Sequence, residues 1–378
     1  MCGIAGIMTI SGGAPDTASL QSLSQALSHR GPDGDGLAVS GGVGLVHTRL
    51  AIIDLDTGDQ PFFAVAGKGK DKAALVANGE IYNYVEMRLD MGRVDFQTKS
   101  DCEPPLHVYL RHGLGFARHL RGMYAIAIHD PEEDCLILTR DPFGIKPLYY
   151  AETELGFVFA SEPQALHRAG LVKPALDPGP RDELLQLRFT TGADTVFAGI
   201  KRLLPGETLQ VRKGRITDRL VMQALPDGGP QDTPKGMALK RLDELLNDSV
   251  GIHQRSDVPY GMFLSGGIDS SVLLAMMARL NDRPVQAFTA GFSDTQATDE
   301  RDHARHLAAA VGAEHHDVDF SETDFWALLP EVAAAMDDPA ADSAVLPPSK
   351  LAAAAQGAGP QVGLTREGGD GPFRGAGR

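Results

Sequence analysis

Cysteine is scarce in this chain of 378 residues: three occur, Cys2, Cys102 and Cys135, with no paired spacing. That excludes a disulfide framework and a zinc-binding pattern. Positive charge is also short, with 35 Lys and Arg against 50 Asp and Glu and a net charge of -15. So acidic a chain argues against nucleic acid and against anionic membranes as partners. No apolar run approaches the ~20 residues that span a bilayer, and no basic region followed by an apolar stretch opens the chain. A reducing, cytoplasmic setting is therefore expected. What is abundant is apolar content, at 43%, so a globular protein of two or three domains is expected.

The first part of the chain alternates short apolar runs with Gly, Pro and Asp turns. Val43–Leu45, Ala51–Ile53, Ala74–Val76, Tyr124–Ile128, Leu136–Leu138 and Phe157–Ala160 read as strands. Helical patterns interrupt them at Ala18–Leu27 and Pro105–Arg111, which predicts an α+β domain over residues 1–211 with helices on sheet faces. The Pro/Gly/Asp-rich composition of residues 212–236 reads as a linker. From residue 237 strands and helices alternate. Met237–Val250 is an amphipathic helix, Tyr260–Leu264 a buried strand and Ser270–Leu280 a helix. Val285–Phe292 is a second strand, Arg301–Val311 a helix and Val318–Phe320 a third, short strand. That order predicts a parallel, doubly wound α/β domain over residues 237–378.

Cys2 is the residue that first suggests chemistry. A cysteine directly behind the initiator methionine can become the N-terminal residue, with its own α-amine (pKa ~8) as the base for its thiol. Four polar segments accompany it: His29–Gly34, Thr48–Ile53, Asn78–Asn83 and Ser100–Glu103. A free amino acid attacked at its side-chain amide needs a guanidinium for its carboxylate, a carboxylate for its ammonium, and two donors for the oxyanion. Arg49 fits the first task and Asp101 the second. The Asn78 side chain and the Gly79 N–H fit the third. Each residue also has a plainer reading: Arg49 as a surface arginine, Asn78-Gly79 as a hairpin turn, Asp101 as a helix cap. Their joint presence behind an N-terminal cysteine favours the chemical one.

A second candidate site is Ser265-Gly266-Gly267-Ile268-Asp269-Ser270-Ser271, between a strand and a helix. Two glycines allow a phosphate close to the backbone, and the helix start offers free N–H groups. Residues 237–378 hold 21 acidic against 11 basic residues. Phosphate charge must then be met by backbone donors and Mg²⁺ rather than by many lysines, with Asp269 as a metal ligand.

Several segments resemble the glutamine-dependent asparagine synthetase family. They are Met1–Ile4, His29–Asp33, Arg49-Leu50, Asn78–Asn83, Leu120–Met123, Arg140–Tyr150 and Ala160–Glu162. The resemblance implies an αββα sandwich of the N-terminal-nucleophile glutaminase type. It implies Cys2 as nucleophile, an oxyanion hole of Asn78 and Gly79, and glutamine held by Arg49, Leu50, Ala51, Ile52, Ile53, Asn78, Gly79, Glu80 and Asp101. Ser265–Ser271 resembles the pyrophosphate loop of ATP pyrophosphatases. With Ala287–Phe292 and Gln361–Asp370, this implies ATP at Leu264, Ser265, Gly266, Gly267, Asp269, Ser270, Ser271, Ala290, Thr365 and Arg366. Glu367 would be the catalytic carboxylate, with Asp269 and Asp370 on the metal. Glutamine, aspartate and ATP are the implied small-molecule substrates, and a homodimer is allowed.

The chain departs from the family pattern at Arg366, where glycine is usual, and at Asp370-Gly371-Pro372-Phe373, where Asp-Glu-Leu-Phe is usual. Synthetase domains of the family also run further than Arg378, so a truncated or frame-disrupted member is expected. Three alternatives stay open: a glutaminase whose second half is inert, an amidotransferase for a different carboxylate, and a non-enzymatic remnant that persists as a binding or regulatory protein.

Overall fold

A computed structural model describes residues 1–65, 72–225, 228, 232–292 and 299–365. The chain divides into two compact units, Met1–Gly228 with Asp337–Ala341, and Gly229–Met336 with Asp342–Arg378.

In the first unit the strands are β1 (Gly3–Thr9), β2 (Gly34–Ser40), β3 (Val43–Arg49), β4 (Phe62–Val65) and β5 (Lys72–Ile81). They continue with β6 (Gly122–Asp130), β7 (Cys135–Arg140), β8 (Tyr149–Glu152) and β9 (Gly156–Ala160). The last are β10 (Lys201–Arg202), β11 (Glu207–Arg212) and β12 (Arg215–Val221). The helices are α1 (Thr17–Leu27), α2 (Tyr84–Met91), α3 (Pro104–His112), α4 (Pro163–Arg168) and α5 (Pro178–Leu187). Two six-stranded antiparallel sheets result, in the orders β10-β8-β9-β1-β3-β2 and β12-β11-β7-β6-β5-β4.

The alternation of side chains along each strand sorts them into layers. Ile4, Met8, Val43, Leu45, Val76, Ala125, Leu138 and Phe159 fill the space between the sheets. Ala5, Ile7 and Val46 face outward onto α1 and α4, through Leu20, Leu23 and Leu166. Leu75, Ala77 and Ile126 face outward onto α3, through Leu106 and Val108. The unit is an αββα sandwich.

Two sequence-based assignments in this unit change. Ala51–Ile53 is a bent loop and not a strand. Residues 215–221, assigned to a linker by composition, form β12, paired with β11 from Glu207↔Val221 to Arg212↔Arg215. β12 is an exposed edge strand, so no apolar alternation marks it in the sequence.

The second unit contains α6 (Lys235–His253), β13 (Tyr260–Phe263), α7 (Ile268–Leu280), β14 (Gln286–Gly291) and α8 (Arg301–Val311). It goes on with β15 (Glu314–Asp319), α9 (Glu322–Ala335), α10 (Leu346–Ala358) and β16 (Val362–Leu364). Its four strands are parallel, in the order β15-β14-β13-β16. β15 starts at Glu314 rather than at Val318. His315 is tied to Thr289 Oγ1 at 2.9 Å and His316 stacks on Phe288 with ring centroids 4.6 Å apart, so a polar segment is held in strand register by cross-strand partners.

Candidate functional site

Parity along the strands of the first unit brings the predicted residues together. Ile4 and Met8 of β1 point into the inter-sheet space, so Cys2, in the same phase, enters at one end of it. Val43 and Leu45 of β3 do the same, which puts Arg49 on that face. Val76 of β5 carries Asn78 and Glu80 with it. Three strands from two sheets therefore deliver Cys2, Arg49, Asn78 and Glu80 to the same side of the sandwich interior.

Cys2 is half-buried, and its Sγ accepts a hydrogen bond from the Leu50 N–H at 3.3 Å. The bent Leu50–Ile53 loop is what makes this amide available. Ala51 N–H is held in turn by Asp33 Oδ2 at 2.8 Å, and Ile52 and Ile53 are half-buried beside it. Burial pushes the Cys2 thiol up, while the Leu50 hydrogen bond and the positive chain terminus pull it down. The terminal amine itself, here that of Met1, is pushed down to about 6, chiefly by burial.

Asn78 and Gly79 lie inside β5, opposite Ala125 and Tyr124, so the hairpin-turn reading is excluded. Asn78 is buried and its Nδ2 has no hydrogen-bond partner. A buried amide donor left unpaired is costly and marks a place for a ligand acceptor. Tyr124 spends both its N–H and its carbonyl on Asp141. Gly79 thus faces it as a non-bonded pair, with its N–H on the outer edge of the sheet. On that edge Ala77 N–H donates to Gln60 Oε1 at 2.6 Å and Ile81 N–H to Asp101 Oδ2 at 2.7 Å. A side chain at residue 79 would meet Met123 O at 2.5 Å, so only glycine fits.

Asp101 is buried and does not cap α3, whose N-cap is Glu103. Burial pushes its carboxyl up to about 6, against hydrogen bonds from Ile81 N–H and its neighbours. Glu80 is pushed up to about 7, again chiefly by burial, with Lys146 pulling the other way. Arg49 is buried, and its guanidinium donates to Asp59 Oδ1 at 2.9 Å and to the Asp54 carbonyl. It therefore also pins the 54–59 loop.

Three residues given no role by the sequence belong to this neighbourhood. Lys146 is buried and feels the charges of Glu80 and Cys2. Arg140 grips the loop carrying it, donating to Lys146 O at 2.7 Å and to Leu203 O at 2.6 Å. Arg30 Nε donates to Cys2 O at 3.0 Å, and its NH1 to Glu162 Oε1 at 2.7 Å.

In the second unit, Leu264 is buried and Ser265–Gly267 forms the turn between β13 and α7. β13 connects through α7 to β14 on one side and pairs with β16 on the other. The turn therefore lies at the carboxyl end of the strand where the winding reverses, the place where open α/β sheets bind ligands. Ala290 near the end of β14 and Thr365 after β16 come from the two flanking strands. Gly266 holds φ +74, and Ser265 Oγ lies 3.1 Å from Ser270 Oγ. Ser271 Oγ donates to Gly267 O at 2.7 Å, and no side chain caps the start of α7. Asp269 sits half-buried in its first turn. Arg366, Glu367 and Asp370 lie outside the described residues. Among the described residues no group of three or more His, Cys, Asp or Glu is arranged to hold a metal, and no helix is long and apolar enough to cross a membrane.

Comparison with known proteins adds two matches. Residues 1–221 match the family model of a glutamine amidotransferase domain, and residues 241–378 that of asparagine synthase. Glutamine-hydrolyzing asparagine synthetase 1 of Bacillus subtilis is 34% identical over 353 residues, covering 92% of this chain and 54% of that protein. Asparagine synthetase B of Escherichia coli is 31% identical over 337 residues, 85% of this chain and 54% of its own. Asparagine synthetase 1 of Saccharomyces cerevisiae is 30% identical over 287 residues, 76% and 44%. The chain spans about half the length of these relatives.

Proposed function

Since the chain belongs to the family that joins a glutamine amidotransferase domain to an asparagine synthase domain, we propose that it is a glutamine-dependent amidotransferase of the asparagine synthetase type. Cys2, once its methionine is removed, attacks the side-chain amide of glutamine. Its α-amine takes the thiol proton and passes it to the leaving ammonia. Water then frees glutamate from the thioester.

The observation that carries this reading is the buried, unpartnered Asn78 Nδ2 beside the edge-facing Gly79 N–H. Both suit an oxyanion that forms only during attack. The Leu50 N–H on the Cys2 sulfur favours the thiolate. Arg49 and Asp101 would hold the carboxylate and ammonium of glutamine, with Leu50–Ile53 and Glu80 around them.

In the second unit the Ser265–Ser271 turn would receive the phosphates of ATP, and Ala290 and Thr365 would flank the nucleotide. Asp269 supplies a hard oxygen that fits Mg²⁺, an ion carried largely by substrate phosphates and water. Bound there, Mg²⁺ would neutralise phosphate charge. Aspartate is the proposed acceptor, activated as an acyl-adenylate before ammonia attacks, with Arg366, Glu367 and Asp370 as the family's further contacts.

Aspartate-dependent exchange of label between pyrophosphate and ATP tests the second half directly. Exchange with aspartate and not with other carboxylates is expected. Exchange with another acid alone would overturn aspartate as acceptor, and none at all would overturn the synthetase half.

A further inference from the structure

Five residues inside the sequence of the second unit belong structurally to the first. Asp337–Ala341 follow α9 and precede the short turn leading into α10, yet they pack with residues 1–228. Asp338 Oδ2 accepts from Arg202 Nε at 2.9 Å and from Tyr149 Oη at 2.8 Å. Arg202 NH2 donates both to Asp338 Oδ2 and to Thr190 Oγ1 at 2.7 Å, and NH1 to Gly192 O at 2.8 Å, so the guanidinium is held on more than one side. Both partners are largely buried, at 14% and 19% exposure. Ala341 N–H donates to Arg188 O at 2.7 Å. Buried ion pairs are poor sources of stability but are specific about geometry. A merely tethering loop would have no need of one.

The neighbouring Asp337 reaches further. Its Oδ2 accepts from the Gln164 N–H at 3.1 Å, at the start of α4. Burial and the Glu162 charge push its carboxyl up to about 6, against the Gln164 bond and Arg168. Immediately before α4, Ser161 Oγ accepts from Ile4 N–H at 2.9 Å, and Glu162 holds Arg30, which holds the Cys2 carbonyl. A continuous path of hydrogen bonds and one helix start thus runs from Asp337 to the peptide of Cys2.

We propose that Asp337 and Asp338 are positioning residues for Cys2: the strap holds the start of α4 through the Gln164 N–H, Glu162 just ahead of α4 orients Arg30, and Arg30 sets the nucleophile. This rests on the assignment of Cys2 as a glutaminase nucleophile.

Steady-state glutamine hydrolysis by the full chain, alongside its thermal unfolding, tests it with Asp338→Ala and Asp338→Asn. Asp338→Ala should lower kcat roughly tenfold through a small misplacement of the nucleophile, with KM for glutamine unchanged. Asp338→Asn, which still offers an acceptor, should recover part of that loss. Tyr149→Phe should give the same split at smaller size and serves if Asp338→Ala does not fold. A folded Asp338→Ala with unchanged kcat, or a loss confined to KM, overturns the proposal alone. A wild-type chain without Cys2-dependent hydrolysis overturns it together with the assignment it rests on.

Discussion

The first unit surrounds its reactive residue with charge it has stripped of water: Asp101 and Lys146 are buried, Glu80 nearly so, and burial heads the causes of every shift. The Ser265–Ser271 turn of the second unit does the reverse: its polar groups are neutral hydroxyls bonded to one another and to Gly267 O, no side chain caps the start of α7, and Asp269 is half-exposed. The difference follows the charge of what each would bind. A zwitterion has a cation and an anion to match and repays two buried partners. A polyphosphate brings its own charge and its own metal, so neutral donors suffice. Substitutions in the first unit should therefore be steep and separable into kcat and KM, and those in the second shallow.

The steepest test of that contrast short of the nucleophile is Asn78→Ala. Loss of one oxyanion donor should lower kcat for glutamine hydrolysis roughly 100- to 1000-fold at similar KM. A rise in KM alone would make Asn78 a ground-state contact. Next come Arg49→Ala and Asp101→Asn, expected to raise KM about 10- to 100-fold, since charge-assisted bonds to substrate act in ground and transition states alike. If either left KM unchanged while kcat fell, the division of labour would be wrong.

A pH titration should show a smaller effect of definite sign. The Asp101 carboxyl titrates at about 6 in the absence of substrate. It is ionised above that and protonated below, and only the ionised form holds an ammonium. KM for glutamine should thus rise as pH falls below about 6, by up to roughly tenfold per unit. A KM flat down to about pH 5 would remove Asp101 from the ammonium site.

Smallest should be Gly266→Ala. The residue sits at φ +74, and an added Cβ would meet His303 Cδ2 at 3.3 Å. ATP affinity should drop only about fivefold, roughly 1 kcal/mol, the low end of the cost of a left-handed non-glycine residue. Loss beyond about a hundredfold would mean that the turn acts through more than its backbone.

Much of this was legible in the sequence because apolar runs at strand spacing name the layers. Which face of those runs looks inward, and with it the direction of Cys2, Arg49 and Asn78, was not, because β1 and β3 are apolar and buried on both faces and only packing separates them. Less legible was whatever depends on partners far along the chain. Ala51–Ile53 has a strand's composition but bends to present the Leu50 amide to Cys2. β12 and β15 are polar edge strands made by pairing rather than by pattern. Arg30, Lys146 and Glu162 lie in motifs whose strands could be read, but their convergence on Cys2 is tertiary.

The account stands or falls on Cys2. Release of glutamate from glutamine by the purified, methionine-processed chain, compared with Cys2→Ala of equal thermal stability, measures it most directly. Hydrolysis by the first and none by the second is predicted, with the same loss when an N-terminal extension masks the α-amine. Equal hydrolysis by both chains would contradict the account.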